Sequence, residues 1–492
     1  MRESANTGPE SRFAWISTAG FALGPLLALV MLVMPPPEGM GKPAWAVAAL
    51  AVLMSVWWMT EAAPLAATAL IPLIFFPLLG IGSLGVTAES YAHPLIFLFL
   101  GGFLLAQAMQ HWRLSEHIAL RLLRLSGTGP RAIIASFMGT TAFLSMWISN
   151  TATAMMMLPI GCSIVASVSR CAGRRQRKDV APFATSLMLG IGYAASIGGM
   201  GTLIGTPPNA LFANFVSIAF AQPVSFLDWM MVGIPAVVLL LPIAWFVLTH
   251  VAFQVRLAAG PELAKIVDRE IKALGPLNRG QKILSVLLVM TALGWIGQPL
   301  IEAALPSLGL TDSGIALAAA LALFIIPVNG GKGDRLLTWE VATHIRWDVL
   351  ILFGGGIALA TAVGLSGLAS WLGGALSALG VLPLVLLILG VAAIIVFLGE
   401  LASNTAVAAT FLPVAGATAA GIGADPMLLT VPVALAASIG FMLPVATPPN
   451  AIVYGSGVIP ARDMLRAGFL IDLAGIAVTA LVTLTIATRV FS

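Results

Sequence analysis

Ser149-Asn150-Thr151-Ala152 returns 254 residues later as Ser403-Asn404-Thr405-Ala406, and Thr206-Pro207-Pro208-Asn209-Ala210 returns as Thr447-Pro448-Pro449-Asn450-Ala451. Between them, Ala194-Ala195-Ser196-Ile197-Gly198 matches Ala436-Ala437-Ser438-Ile439-Gly440, and upstream the Gly101-Gly102 pair matches Gly355-Gly356. The matches keep their order, so the chain reads as two weakly similar halves. The proline motifs are 241 residues apart rather than 254, and the basic stretch Arg170–Lys178 accommodates the 13 extra residues of the first half.

Each motif interrupts an apolar run. A polar tetrapeptide cuts Ile133–Ile160 and Ile394–Ala415, and a double proline cuts Ala181–Phe220 and Leu428–Ile459. A helix loses donors at Pro-Pro, and the residue ahead of each proline is pushed towards extended backbone. Inside a bilayer, irregular backbone survives only where protein buries it or a watery cavity lines it. Four interrupted spans, paired by repeat, point to one central site.

The bilayer itself follows from composition. Of 492 residues, 59% are hydrophobic and 9% charged, against about 25% charged in an ordinary soluble domain. A span takes about 20 mostly apolar residues, and such stretches recur from Phe13 onward. A soluble enzyme and a single-anchor receptor are excluded. So is an outer-membrane barrel, whose strands alternate polar and apolar residues, whereas Trp45–Met59 and Val381–Leu398 are almost continuously apolar. Two cysteines, Cys162 and Cys171, make no disulfide framework. A net charge of +4 is too small to imply nucleic acid.

Basic residues fall in blocks: Arg113–Arg131, Arg170–Lys178, Lys265–Lys282 and Lys332–Arg346. The positive-inside rule puts these, and the N-terminus with Arg2 and Arg12, in the cytoplasm. The polar breaks Ser83–Glu89, Ala221–Asp228 and Glu302–Asp312 carry no Lys or Arg and belong outside. Phe13–Met34 is long for a signal-peptide core and reads as the first span. The span from Pro94 runs towards the basic block at Arg113, whereas its repeat partner from Asp348 runs away from Arg346, so the halves are inverted. The expected organisation is 1–90, N-terminal spans; 91–253, first repeat; 254–282, an amphipathic cytoplasmic linker with a helix over Lys265–Lys282; and 283–492, the inverted second repeat.

The motifs offer hydroxyls and amides, neither acids nor bases. Their donors grip carboxylate oxygens, helix N-termini at the breaks add N–H groups, and the freed carbonyls suit a monovalent cation such as sodium. With no Lys or Arg in the motifs, a multivalent anion needs its charge offset by co-bound cations, which is a physical reason for coupling. A lone Ser or Thr in a span is packing glue worth about 0.6 kcal/mol; duplication beside matching proline breaks argues for a site instead. The Gly-Gly pairs fit close helix packing. Glu61 sits near a helix boundary or serves function, Glu400 orients its hairpin or adds negative charge near a cation, and His93 and His111 flank a span. A membrane hydrolase lacks a base beside Ser149 or Ser403, and a channel does not need two inverted, broken hairpins.

These motifs, with Trp57-Trp58-Met59-Thr60-Glu61-Ala62-Ala63-Pro64, resemble the divalent anion/sodium symporters over most of the chain, to Tyr454. The resemblance implies an all-α polytopic membrane protein of about eleven spans. It further implies a homodimer with a static scaffold and a mobile transport domain moving as an elevator, and two re-entrant hairpins tipped by Ser-Asn-Thr. The first sodium site would use Ser145, Ser149, Asn150 and the Gly205 carbonyl. The second would use Gly399, Ser403, Asn404 and the Ala446 carbonyl, Gly399 standing where symmetry with Ser145 would place a side-chain oxygen. Substrate carboxylates would meet Ser149, Asn150, Thr151, Ser403, Asn404 and Thr405, with Thr206, Thr447 and Pro448 lining the cavity. The implied activity is sodium symport of di- or tricarboxylates, favouring C4-dicarboxylates, in the inner membrane. Sodium-independent exchange and sodium/sulfate symport are the alternatives on the same fold.

Overall fold

The computed structural model describes residues 9–124, 129–171, 177–256, 269, 272–328 and 335–491. Regular structure there is helical, apart from one isolated bridge between Pro327 and Arg335. Among the described residues nine helices are long and apolar enough to cross a membrane, or ten if the pair Leu368–Val381 and Leu384–Gly399, bent by 119°, forms one span. The first helix, Pro9–Val33, leaves Phe21, Leu26 and Leu29 exposed, which hydrocarbon tolerates because lipid tails are as apolar as leucine.

Both polar tetrapeptides sit at hairpin tips. Pro130–Ser145 and Asn150–Cys171 are the arms of the first hairpin, and Leu384–Gly399 and Asn404–Gly421 those of the second. Both double prolines restart a broken helix: Arg177–Gly199 resumes as Pro207–Ala219, and Met427–Ala436 resumes as Pro448–Tyr454. Proline fits the first helical turn, where its missing N–H would have had no intrahelical acceptor.

The halves exchange partners. The second arm of each hairpin packs on the restart helix of the opposite half: Asn150–Cys171 on Pro448–Tyr454, and Asn404–Gly421 on Pro207–Ala219. This exchange brings the four breaks to one place. The glycine pairs act in packing as expected: a Cβ on Gly101 would stand 2.6 Å from the Ala316 carbonyl oxygen, and one on Gly355 would meet the Ala69 carbonyl oxygen, so only glycine allows these approaches.

One expectation needs correction. The stretch Lys265–Lys282 is not a single amphipathic helix, because the chain turns at Gly275 with φ 73° and a new helix starts at Arg279, capped by Asn278. Pro276 follows the turn, and its ring would block an uninterrupted helix. The rest of that linker, 257–268 and 270–271, lies outside the described residues, as do 172–176 of the Arg170–Lys178 block.

Candidate functional site

Freed backbone groups at each break are answered by side chains. In the first half, Asn209 Nδ2 donates to the carbonyls of Gly199 (3.0 Å), Met200 (3.4 Å) and Thr202 (2.7 Å). In the second half, Asn450 Nδ2 donates to Gly440 (2.9 Å) and Leu443 (3.1 Å). Trp229 Nε1 adds a donor to the Met200 carbonyl (3.0 Å), and the Tyr193 hydroxyl adds one to the Phe441 carbonyl (2.7 Å). The residue just beyond each double proline therefore holds the break open.

Between the breaks lies a cavity of about 650 Å³. Ser149, Asn150, Thr151, Thr206, Ser403, Asn404, Thr405, Thr447 and Pro448 all line it, as do Gly205 and Ala446. Every residue expected to contact substrate thus meets in one wall, drawn from both halves. Ser145 and Gly399 are buried at the ends of the first hairpin arms. The rest of the wall is apolar at Phe99, Phe103, Val349 and Phe353, and polar at Ser17, Thr60, Glu61 and Arg346. Glu61 caps Lys42–Thr60 in left-handed backbone, φ 48°, at the helix boundary expected for it.

Oxygens converge behind the first tip. Ser145 Oγ donates to the Ala195 carbonyl (2.6 Å) and stands 2.7 Å from the Asn150 amide, whose same terminal atom lies 3.1 Å from the Ala195 carbonyl and 3.3 Å from the Gly205 carbonyl. With its nitrogen turned there, Asn150 donates to all three. With its oxygen turned there, Asn150 adds a fourth oxygen to the Ser145 hydroxyl and the Ala195 and Gly205 carbonyls, an all-oxygen set of the kind a hard monovalent cation binds. Ser149 Oγ accepts from the Ala152 N–H (3.3 Å) and caps the second arm as well as bordering the cavity.

The second tip differs in detail. Asn404 Oδ1 is buried with no hydrogen-bond partner among the described residues, an orphaned acceptor that also fits a cation. Thr447 caps its restart helix by accepting from Asn450 N–H (3.3 Å), whereas Thr206 makes no cap bond and keeps its hydroxyl for the cavity. Glu400, three residues before Ser403, is buried and accepts from the N–H groups of Met442 and Leu443, both at 2.8 Å.

Sequence reasoning passed over the Ala195 carbonyl and Arg346. The first lies within the repeated Ala-Ala-Ser-Ile-Gly match, and that duplication was its signal. Arg346 was assigned only to a basic block, yet it is the one cationic side chain of the cavity wall among the described residues. It pairs with Asp348 at 2.8 Å, and this hydrogen bond raises the guanidinium's pKa above its ordinary value.

Paired hairpins and proline-broken helices around one shared cavity, with both polar motifs in its wall, define a membrane transporter rather than an enzyme. The chain belongs to the divalent anion/sodium symporter family: the family model described as the sodium:sulfate symporter transmembrane region matches residues 20–491. It is 39% identical over 467 residues to the sodium-dependent dicarboxylate transporter SdcS of Staphylococcus saprophyticus, covering 94% of this chain and 90% of that one. Against SdcS of Staphylococcus aureus it is 40% identical over 466 residues, with the same coverage. Two solved structures share the fold: the Alcanivorax borkumensis YdaH transporter (TM-score 0.55, 14% identity, 98% of each chain) and Neisseria gonorrhoeae MtrF (TM-score 0.53, 13% identity, 97% of this chain and 95% of that one).

Proposed function

We propose that this protein is a sodium-coupled symporter of small carboxylate dianions, with C4-dicarboxylates such as succinate, malate or fumarate favoured, working by elevator-type alternating access. The name of the SdcS relatives supports the substrate class and the coupling ion. The observation that carries the reading is the Asn150 amide, which faces three oxygens at one end and borders the cavity. Without a cation its NH₂ turns inward to the Ala195 and Gly205 carbonyls, leaving an oxygen towards the cavity that repels a carboxylate. A sodium ion behind the tip draws the amide oxygen inward and turns the NH₂ outward to the anion. Cation and substrate thus favour the same amide orientation, and their affinities rise together.

Asn404, with its orphaned Oδ1, plays the matching part in the second site with Gly399, Ser403 and the Ala446 carbonyl. Thr151, Thr405, Thr206 and Thr447 supply hydroxyls to the anion, and Pro448 shapes the wall. The interlocked hairpins and broken helices form the mobile body. The N-terminal spans within 1–90 contribute mainly to the scaffold, 91–253 and 283–492 are the two repeats, and a homodimer in the inner membrane has its N-terminus in the cytoplasm.

Radiolabelled uptake into proteoliposomes tests the reading. Saturable succinate uptake driven by an inward sodium gradient, resisted by excess malate or fumarate but not by sulfate, is the expected result. Uptake that ignores sodium but needs internal dicarboxylate overturns symport in favour of exchange.

A further inference from the structure

Phe226 joins two groups of helices. Its own helix, Phe226–Phe246, packs on the first hairpin and the first broken helix. Trp229 Nε1 donates to the Met200 carbonyl (3.0 Å), and a methyl group on Gly233 would meet that same oxygen, which ties the helix closely to the break. The Thr202 hydroxyl in turn ties the break to the Met146 carbonyl at the hairpin tip (2.5 Å). Arg279–Ala304 and Asp312–Ile325 pack instead on each other and on Pro94–His111. There Ser313 Oγ donates to the Pro94 carbonyl (2.7 Å) and Trp295 Nε1 to the Asp312 carbonyl (3.0 Å).

Between the two groups the Phe226 N–H donates to Asp312 Oδ2 (2.8 Å). Neither residue is occupied in capping its own helix. Ser225 and Asp228 form the capping box of Phe226–Phe246, and Thr311 accepts from the Gly314 N–H (3.1 Å) to cap Asp312–Ile325. The Phe226 N–H is one of the donors a helix start leaves without an internal partner, and the spare side chain of the other group accepts from it. Rings repeat the tie. The buried Phe226 ring stacks with Trp295 (centroids 4.4 Å apart, planes at 20°) and with Trp147 (6.4 Å, 27°). Such pairs attract beyond the area they bury. Trp147 stands two residues before Ser149, so three rings run from the first hairpin tip to Arg279–Ala304.

On the topology proposed above, this chain lies outward of the tip, next to the breaks Ala221–Asp228 and Glu302–Asp312. The cavity lies on the other side, reaching Ser17 near the cytoplasmic N-terminus and Arg346 of a cytoplasmic basic block. We infer that Phe226, Trp295 and Asp312 form a latch that holds the mobile body in this inward-open state, and that outward movement parts Phe226 from both of its static partners. The inference rests on the alternating-access reading above. A state populated only in part lowers the apparent affinity of its ligand by that fraction. Loosening the latch therefore tightens apparent affinity from the outside, an effect that loss of a merely structural contact would not give.

The test uses Trp295→Leu, which removes the stacking ring and the indole donor, Asp312→Ala, which removes the acceptor, and Asp312→Asn, which keeps an oxygen for the Phe226 N–H. Each is reconstituted without Cys162 and Cys171 and with spin labels at Gln222→Cys and Ser307→Cys, on the mobile and static outer loops, for distance measurement by pulsed EPR. Unlabelled versions without the two added cysteines give the external succinate KM at saturating sodium. In Trp295→Leu and Asp312→Ala the expected result is a larger share of a second, outward-state distance and a KM lowered about three- to tenfold. Asp312→Asn should stay near the parent in both. Unchanged distances in either folded variant, or a KM that stays or rises, overturns the inference, as does an Asp312→Asn that behaves like Asp312→Ala. If Trp295→Leu does not fold, the two Asp312 variants decide. A single distance in every protein, the parent included, with and without sodium and succinate, would instead overturn alternating access, and the two failures are thus distinct.

Discussion

Asn209 and Asn450 occupy equivalent places in the two halves, and each threads its side-chain amide into the carbonyls of its own break, from Gly199 to Thr202 in one case and from Gly440 to Leu443 in the other. Both are fully buried. Replacing either with alanine leaves the Gly199 or the Gly440 carbonyl without a donor among the described residues, since Thr202 and Leu443 still accept from the N–H groups of Gly205 and Ala446, and a buried unsatisfied group costs about 1–3 kcal/mol. Asn209→Ala and Asn450→Ala should therefore each lower the melting temperature in detergent markedly. Succinate KM, measured below the new melting range, should change less than stability does. A variant that melts like the parent would show that the break is held by something else.

Asn150 and Asn404 have the opposite profile. An aspartate keeps oxygen for a cation, deletes the NH₂ and adds negative charge. Asn150→Asp and Asn404→Asp should each abolish succinate uptake while folding normally, and sodium should still raise their melting temperatures. Normal transport by either one would remove its hairpin tip from the shared site.

Gly199 backs the Asn150 amide closely: a methyl group there would stand 2.9 Å from Nδ2 and closer still to Oδ1. Gly199→Ala should push the amide off the Ala195 and Gly205 carbonyls and lower sodium affinity and succinate affinity together, by about tenfold or more, as linked sites require. Sodium-dependence curves at several succinate concentrations would measure it. A loss of succinate affinity alone would break the proposed link.

Arg346 is partly exposed, is paired with Asp348 and borders the cavity. Arg346→Ala should raise succinate KM about three- to tenfold at low ionic strength, with kcat little altered, because a charge at the edge of a cleft acts chiefly by steering. The deficit should shrink as salt rises. A KM that stays elevated equally at high salt would mean that Arg346 holds the bound anion directly.

Topology can be read by single cysteines at Gln176 and Gln222 in a background without Cys162 and Cys171. Membrane-impermeant maleimide should label Gln176→Cys only from the cytoplasmic side and Gln222→Cys only from outside. Labelling of both from one side would contradict the inverted arrangement.

The duplicated motifs made most of this legible. Their order gave two halves, and the prolines located the breaks, because backbone without donors needs partners anywhere in a bilayer. The places of Asn150 and Asn209 followed from position too, one at a hairpin tip and the other just past Pro-Pro, where its amide meets the break. Features without a repeat stayed hidden. Asp472, which accepts from the Phe441 N–H, sits in the apolar middle of its helix outside the duplicated motifs, and Arg346 reads as one more residue of a basic block. An unbroken helix over Lys265–Lys282 fails because charge alternation there says nothing of Gly275-Pro276, a dipeptide that ends helices on steric grounds alone.

The exchange of helices between the halves also bears on origin. Asn150–Cys171 rests on Pro448–Tyr454, and Asn404–Gly421 rests on Pro207–Ala219, so a single half in isolation leaves its hairpin arm without the surface that completes it. A chain encoding one half could have closed this cavity only against a second copy inserted the other way up.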